Sequence, residues 1–248
     1  MKKNLAAFRY IDEKLIPMAM PRSSILSLGD TSENSSSFGQ FLKRSIDVVF
    51  ASFVIVFGFP FYMMIAALIK LNSSGPVLFV QERVGQGGKK FKFYKFRTMA
   101  ANNNDETHRN FTENFIKGRV MEKGSSLGQR VVFKIAEDPR VTSVGKFLRK
   151  TSLDELPQFI NVLRGEMSLV GPRPPIDYEI EHYQEWHKQR LLAKPGLTGL
   201  WQVSGRSAVP FDEMVMLDLY YYENWSLLLD LKIILRTVPV MFIGSGGF

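Results

Sequence analysis

The segment Thr151-Ser152-Leu153-Asp154-Glu155-Leu156-Pro157 sets two carboxylates side by side. At the start of a helix, the backbone dipole keeps a carboxylate ionised. An ionised carboxylate can attack phosphorus and form an acyl phosphate. It can equally hold Mg²⁺ against a diphosphate, because hard cations choose oxygen ligands. The same residues also have a plain structural use, since Ser152 with Glu155 three positions on spells a capping box. The seven residues alone leave both readings open.

Candidate anion-binding cations lie elsewhere in the chain. Leu169-Val170-Gly171-Pro172-Arg173-Pro174-Pro175 carries one guanidinium in a loop stiffened by three prolines. Proline fixes φ and arginine binds phosphate in a bidentate fork, so such a loop can present a positioned clamp. A Pro-rich turn with an exposed arginine is the simpler alternative. Gln81-Glu82-Arg83-Val84-Gly85 and Tyr94-Lys95-Phe96-Arg97-Thr98-Met99 form a basic patch threaded with aromatics. Nucleic acid wants those residue types, and a solvated strand face shows them too. Gly85-Gln86-Gly87-Gly88-Lys89 misses the spacing of a nucleotide phosphate loop and lacks the following Ser or Thr. The Gly-rich run from Lys194 to Arg206 suits either close backbone approach to a ligand or turns. His182 and His187 stand five apart, off a common helix face, and read as structural.

Composition bounds these options. The net charge of +8 suits an anionic partner: nucleic acid, anionic lipid or a phosphorylated small substrate. The absence of cysteine excludes disulfides, zinc–thiolate sites and a thiol nucleophile. With three histidines in 248 residues, a metal would sit among oxygen ligands.

The elements that must position these groups read as α+β and predominantly helical. Residues 1–42 are a polar, flexible tail without the apolar run of a signal peptide. Residues 46–69 carry a single charge, Asp47, over a length that matches a bilayer core of roughly 30 Å. A simple spanning helix and a buried core helix are both possible. Gly58-Phe59-Pro60 near the middle, and basic residues flanking both ends, favour a helix that enters, breaks at Pro60 and returns to the same face. Beyond residue 70 the chain reads as one domain, 71–248. It has strands at 76–80 and 90–96 joined by a turn at Gln86-Gly87-Gly88. Loops are expected at 102–104 and 124–128. Helices are expected at 144–149, 155–163, 177–192, 211–222 and 226–238. The last is apolar but carries Asp230, Lys232 and Arg236, as a helix lying on a membrane or a core does.

Taken in order, several of these segments resemble the bacterial sugar transferase family, the monotopic phosphoglycosyl transferases of glycan assembly. They are Lys43-Arg44-x-x-Asp47, Gly75-Pro76-Val77, Gln81-x-Arg83-x-Gly85, Tyr94-Lys95-Phe96-Arg97-Thr98-Met99 and Asp138-Pro139-Arg140-Val141-Thr142. They continue with the run from Leu148 to Gln158, then Gly171-Pro172-Arg173-Pro174 and Pro195-Gly196-Leu197-Thr198-Gly199. The resemblance covers residues 43–242.

It implies that Asp154 is a nucleophile taking a sugar 1-phosphate from a UDP-sugar with release of UMP. Glu155 would be its dyad partner and Arg173 a phosphate ligand. Arg83, Lys95, Arg97, Arg149 and Arg206 would be further substrate phosphate-binding cations, and Mg²⁺ would sit on Asp154. Undecaprenyl phosphate would then attack the phosphoryl-enzyme, in a first membrane step of exopolysaccharide, capsule, O-antigen or related glycan synthesis. The sugar would be a hexose such as galactose or glucose. A re-entrant helix broken at Pro60, contact with inner-membrane phospholipid, and a monotopic enzyme on the cytoplasmic face of the bacterial inner membrane are implied as well. So are a possible homo-oligomer and no nucleic acid partner. The chain departs from the family in having Phe59 where serine precedes the proline. It reads as a minimal-type member with an added tail. The competing reading is a membrane-anchored basic protein that binds nucleic acid or anionic lipid without catalysis.

Overall fold

The computed structural model describes residues 37–100, 106–118, 140–205 and 209–242. Most of the tail, the two expected loops at 102–104 and 124–128, and Arg206 lie outside them. The described chain is predominantly helical, with two two-stranded sheets.

Helix α1 (Ser37–Asn72) begins ahead of the expected boundary at residue 43 and contains Pro60. At 1.5 Å per residue it is about 54 Å long if straight. By length and composition it is able to cross a membrane. The helical run continues past Pro60, so the expected break is not seen in the secondary structure. Proline deletes a single i→i−4 hydrogen bond, and the apolar turns on either side keep their own.

Strand β1 (Leu78–Val84) pairs antiparallel with β2 (Lys90–Phe96), from Leu78 opposite Phe96 to Val84 opposite Lys90. Gly87 and Gly88, at φ 65° and 77°, make the left-handed tip between them. Strand alternation gives β2 two different faces. Phe91, Phe93 and Lys95 share one, while Phe96 packs with Ile65 and Ile69 of α1 and with Leu148. Lys95 is thereby carried into the interior beside Phe93.

Helix α2 (Glu106–Ile116) packs through Ile116 against Phe211 and Val215. Helix α3 (Ser143–Lys150) is capped by Thr142, whose hydroxyl accepts from the Gly145 amide at 3.0 Å. A 3-10 helix (Leu153–Gln158) and α4 (Phe159–Arg164) replace the single helix expected at 155–163. Pro157 lies within the tighter turn, where it forces the change of pitch. Strand β3 (Ser168–Val170) runs parallel to β4 (Gly196–Thr198). Beside this pair the backbones of Gly171 and Gly196 touch, so that a Cβ on Gly196 would lie 2.0 Å from the Gly171 nitrogen.

The helix expected at 177–192 is instead three pieces: α5 (Asp177–Ile180), α6 (Glu185–Lys188) and a 3-10 turn (Gln189–Leu192). Gln184 is extended, and its amide is taken by Nδ1 of His187 at 3.1 Å, which restarts the helix out of phase. His187 is buried against Tyr183, Trp186 and Phe211. Helices α7 (Leu200–Ser204), α8 (Phe211–Glu223) and α9 (Leu227–Phe242) complete the body. Its main core joins Phe93, Val162, Met167, Leu200, Trp201 and Ile233. Asp230 of α9 is buried, while Leu228, Leu231, Leu235 and Val238 are exposed.

Polar bonds fasten both halves of α1 to this body. Arg44 donates from Nη1 to the carbonyl of Val162 at 2.6 Å and from Nη2 to that of Leu163 at 2.8 Å. These are C-terminal carbonyls of α4, which a cation suits. Lys43 reaches Asp230 at 2.6 Å and the Val170 carbonyl at 3.1 Å. Asp47, 3% exposed, accepts from the Leu169 amide at 2.9 Å. In the other half the Tyr62 hydroxyl donates to the Leu156 carbonyl at 2.9 Å. Between these anchors Phe53, Phe57 and Phe59 are more than half exposed.

Asp47→Ala leaves the Leu169 amide buried without its acceptor, at a cost of about 2 kcal/mol. The expected result is a lower thermal midpoint for the detergent-solubilised protein; an unchanged midpoint would show that the bond contributes nothing to stability.

Candidate active site

The site forms where β2, the 3-10 helix, the end of α3 and the proline loop after β3 converge. The chain leaves α3 and turns sharply at Ser152, whose φ of 57° is the one positive value among the described non-glycine residues. Its side chain makes no capping hydrogen bond, so the capping box is not formed; only the Ser152 carbonyl takes part, accepting from the Glu155 amide at 3.2 Å. A left-handed backbone at a non-glycine residue costs of order 1 kcal/mol and collects at functional sites. Here it aims Asp154 inward, leaving it 5% exposed.

Lys95 is the central cation. Its Nζ lies 2.7 Å from Oε1 of Glu155 and 3.7 Å from Oδ2 of Asp154. Nη1 of Arg173 is 3.7 Å from the same Glu155 oxygen. Arg149 donates from Nε to the Thr98 hydroxyl at 2.9 Å, and its charge acts on Asp154. Four of the residues expected from sequence, Lys95, Asp154, Glu155 and Arg173, are therefore joined by charge contacts, with Arg149 beside them.

The two carboxylates differ in ionisation. Burial pushes Asp154 up from 3.8 to about 6; Lys95, Arg149 and Arg173 draw it down, and Glu155 pushes it further up. For Glu155 burial also acts upward, but Lys95 and Arg173 outweigh it and hold the group below its usual range. One member is a firm anion locked to a lysine. The other sits near the pH at which it gains or loses a proton.

The remaining arginines are placed differently. Arg83 is buried, with Nη1 donating to the Pro174 carbonyl at 2.7 Å and Nε and Nη2 to Oε1 of Gln81 at 3.1 and 2.9 Å. Its guanidinium lies 4.8 Å from the Phe93 ring centre. Arg97 is also buried; Nη2 donates to the carbonyl and hydroxyl of Ser73, at 2.7 and 2.9 Å, tying the end of α1 to β2. Arg206 lies outside the described residues.

Sequence reasoning missed Tyr62, which holds the carbonyl two residues beyond Asp154, and Asn161. The latter is fully buried, accepts from the Tyr94 amide and donates to the Lys92 carbonyl at 2.6 Å, pinning β2 to α4. A polar residue among the apolar positions of 159–163 was the available signal for Asn161.

No group of three or more His, Cys, Asp or Glu side chains is gathered for a metal among the described residues. What exists is two adjacent carboxylates, one tied to Lys95. That donor set suits Mg²⁺ arriving with a diphosphate, since the ion commonly binds through one or two carboxylates together with substrate phosphates. Asp154, beyond hydrogen-bond distance of Lys95, retains the acceptor capacity for it.

A buried and a half-buried carboxylate, Asp154 and Glu155, ringed by Lys95, Arg149 and Arg173 on a body clamped to a long apolar helix, define an enzyme built to handle anionic groups. The chain belongs to the bacterial sugar transferase family, whose profile matches residues 38–244. It is 40% identical over 210 residues to the exopolysaccharide production protein ExoY of Sinorhizobium fredii, covering 85% of this chain and 89% of that protein. It is 48% identical over 177 residues to the galactosyl transferase CpsE of Streptococcus agalactiae, covering 71% of this chain and 37% of the relative. Identity is 38% over 221 residues to the UDP-glucose:undecaprenyl-phosphate glucose-1-phosphate transferase of Escherichia coli K12, covering 86% of this chain and 43% of the relative. The matched region thus spans nearly all of ExoY and about two fifths of the other two.

A carboxyl whose pKa rises on folding destabilises the fold where it is ionised. The penalty from Asp154 is complete above about 6 and fades as pH falls toward 3.8. Asp154→Asn, neutral throughout, is expected to raise stability at pH 8 by roughly 1–3 kcal/mol, with a smaller gain near pH 4. Thermal midpoints of both proteins at the two pH values check this; an equal effect at both would disprove the burial penalty.

Proposed function

We propose that this chain transfers a sugar 1-phosphate, from a UDP-hexose such as UDP-galactose or UDP-glucose, to undecaprenyl phosphate with release of UMP. The observation that carries the reading is the Asp154–Glu155 pair, one buried and one half-buried, set against Lys95 and Arg173, in a family with relatives named for undecaprenyl phosphate and for galactose or UDP-glucose. The exopolysaccharide relative supports placing the reaction early in surface-glycan synthesis. A basic protein that binds without turnover explains the geometry less well, because these cations converge on carboxylates instead of forming an open stripe.

The chemistry follows from charge. A carboxylate oxygen of Asp154 attacks the phosphorus that bears the sugar, forming an acyl-phosphate bond. The bridging oxygen between the two phosphorus atoms leaves with UMP. A phosphate oxygen of undecaprenyl phosphate then attacks the same phosphorus, and the Asp154–phosphorus bond breaks to restore the carboxylate. Lys95, Arg149 and Arg173 offset the repulsion between an anionic nucleophile and an anionic substrate. Glu155 holds Lys95 in place. Mg²⁺, held by Asp154 and the substrate phosphates, would supply further charge neutralisation at the diphosphate.

The lipid acceptor requires the site to face a bilayer. A helix crossing between residues 46 and 69 would put Asp47 and Ile69 on opposite sides of roughly 30 Å of hydrocarbon. Both are buried against the same body, through Leu169 and through Phe96 with Leu148. That supports a helix that bends at Pro60 without losing its helical run, so that its exposed phenylalanine middle enters the membrane and returns, with the catalytic body on the cytoplasmic face touching phospholipid. The exposed leucines of α9 are placed to lie on the same surface.

Asp154→Asn should abolish UMP release from the UDP-hexose while the protein still folds and enters membranes. Rapid quenching of the wild type with donor alone should leave a sugar phosphate on residue 154; its absence would overturn the covalent route. Turnover should fall as pH drops through about 6, where Asp154 gains a proton. For topology, the cysteine-free chain allows single labels at Phe38→Cys and Leu71→Cys, both on exposed positions of α1. An impermeant thiol reagent should reach both from one side of sealed vesicles, and labelling from opposite sides would refute re-entry.

A further inference from the structure

The loop that carries Arg173 has an unusual supply of hydrogen-bonding groups. Pro172, Pro174 and Pro175 have no amide hydrogen, so three of its four consecutive residues can be held only through their carbonyls. Every one of those carbonyls, and that of Arg173, is bonded, by donors from three parts of the chain: the end of β1, Arg190 and Gly196. The Gly196 amide donates to Pro172 at 2.9 Å, and the Val84 amide to Pro175 at 2.9 Å. The two middle carbonyls are taken by buried arginine side chains. Nη1 of Arg83 donates to Pro174 at 2.7 Å, and Nη2 of Arg190 to Arg173 itself at 3.5 Å.

These two arginines are themselves held. Arg83, 7% exposed, is fixed by both its remaining nitrogens to Gln81 and lies over Phe93. Arg190, 5% exposed, is paired with buried Asp218 and donates from Nη1 to the Tyr183 hydroxyl at 3.1 Å. Burial and the nearby Arg173 charge draw Arg83 down to about 10, so it stays a cation at any working pH. The electrostatics thus oppose Arg83 sitting here, and the carbonyl of Pro174 with Gln81 supply the compensating contacts. Lysine has neither the planar fork nor the five donors to make these bonds together.

We infer that Arg83 and Arg190 are positioning residues for Arg173: they grip adjacent carbonyls of the proline loop and fix the direction in which that guanidinium meets the substrate phosphate. The inference rests on the proposed role of Arg173 and deepens it. It separates Arg83 from the cations that touch substrate, since it is buried and each of its three nitrogens is bonded within the protein. Misplacing a substrate-positioning group by about 1 Å can cost on the order of 100-fold in rate.

The test is a double-mutant cycle on UMP release from UDP-galactose or UDP-glucose, using the full chain in lipid nanodiscs with undecaprenyl phosphate. Arg83→Met should lower kcat/KM about 10-fold or more in the wild-type background. In the Arg173→Ala background the same change should have less than about a 2-fold effect, because nothing remains to be positioned. Arg190→Lys should behave likewise. Equal losses in both backgrounds would overturn the inference and make Arg83 a direct substrate ligand or a general fold stabiliser. Should Arg83→Met fail to fold, Arg83→Lys takes its place in the cycle, with the same expectations.

Hydrogen exchange at the amides of Gly171, Arg173 and Ile176 gives a readout independent of turnover. Either variant should speed exchange there while leaving α9, which neither arginine touches, unchanged; no local change would also overturn the inference. If the wild-type protein releases no UMP, the proposed function fails, and the exchange measurement alone decides whether the loop is gripped as described.

Discussion

Two consecutive carboxylates cannot both be withdrawn from water unless cations are fixed beside them, and that constraint organises this protein. Lys95 answers it, at 2.7 Å from Glu155 and 3.7 Å from Asp154. The lysine can occupy that position only because β2 alternates, placing it on the same face as Phe91 and Phe93. The strand in turn is held by Asn161 from α4, the helix that follows the carboxylates in the chain. The dyad and its counter-charge are thus parts of one closed circuit of contacts. Removing the lysine would leave an uncompensated charge in a region of low dielectric, where such groups cost several kcal/mol.

The apolar helix belongs to the same circuit. Its first half is bound at the carbonyl end of α4 through Arg44, and its second half reaches the 3-10 helix through Tyr62. A helix that served only as an anchor would need neither bond. The motif Lys43-Arg44-x-x-Asp47 reads in sequence as charge placed beside a membrane segment. In the structure its three side chains are inserted into the body, where they satisfy α4 carbonyls, buried Asp230 and the Leu169 amide.

What could be read from the residues alone were short strings whose chemistry is local. Asp154-Glu155 and Arg173 each fit a plain structural use as well, a capping box and a Pro-rich turn, and stood out only through the ordered company of the other segments. The β-hairpin was legible from alternation and from Gly87-Gly88. The capping box at Ser152 failed because it counts side chains three apart, while the backbone there adopts φ 57° to complete the turn out of α3. The single helix at 177–192 failed for a related reason. Apolar spacing survived across it, but the Gln184 amide found His187 in place of a helical carbonyl. Tyr62, Arg190 and the inward use of Arg83 were hidden because each partner lies far away along the chain: 94 residues separate Tyr62 from Leu156, and 91 separate Arg83 from Pro174.

The contact between Gly171 and Gly196 has a consequence of its own. Side chains hold one another through torsions that yield, so a position defined by them has some spread. Two main chains meeting with no Cβ between them act as a hard stop, because atomic repulsion rises far more steeply than any rotamer well. With Gly196 also bonded to Pro172, the root of the arginine loop is located by an unyielding surface. Any drift in that guanidinium must therefore originate further out, in the two residues beyond the stop.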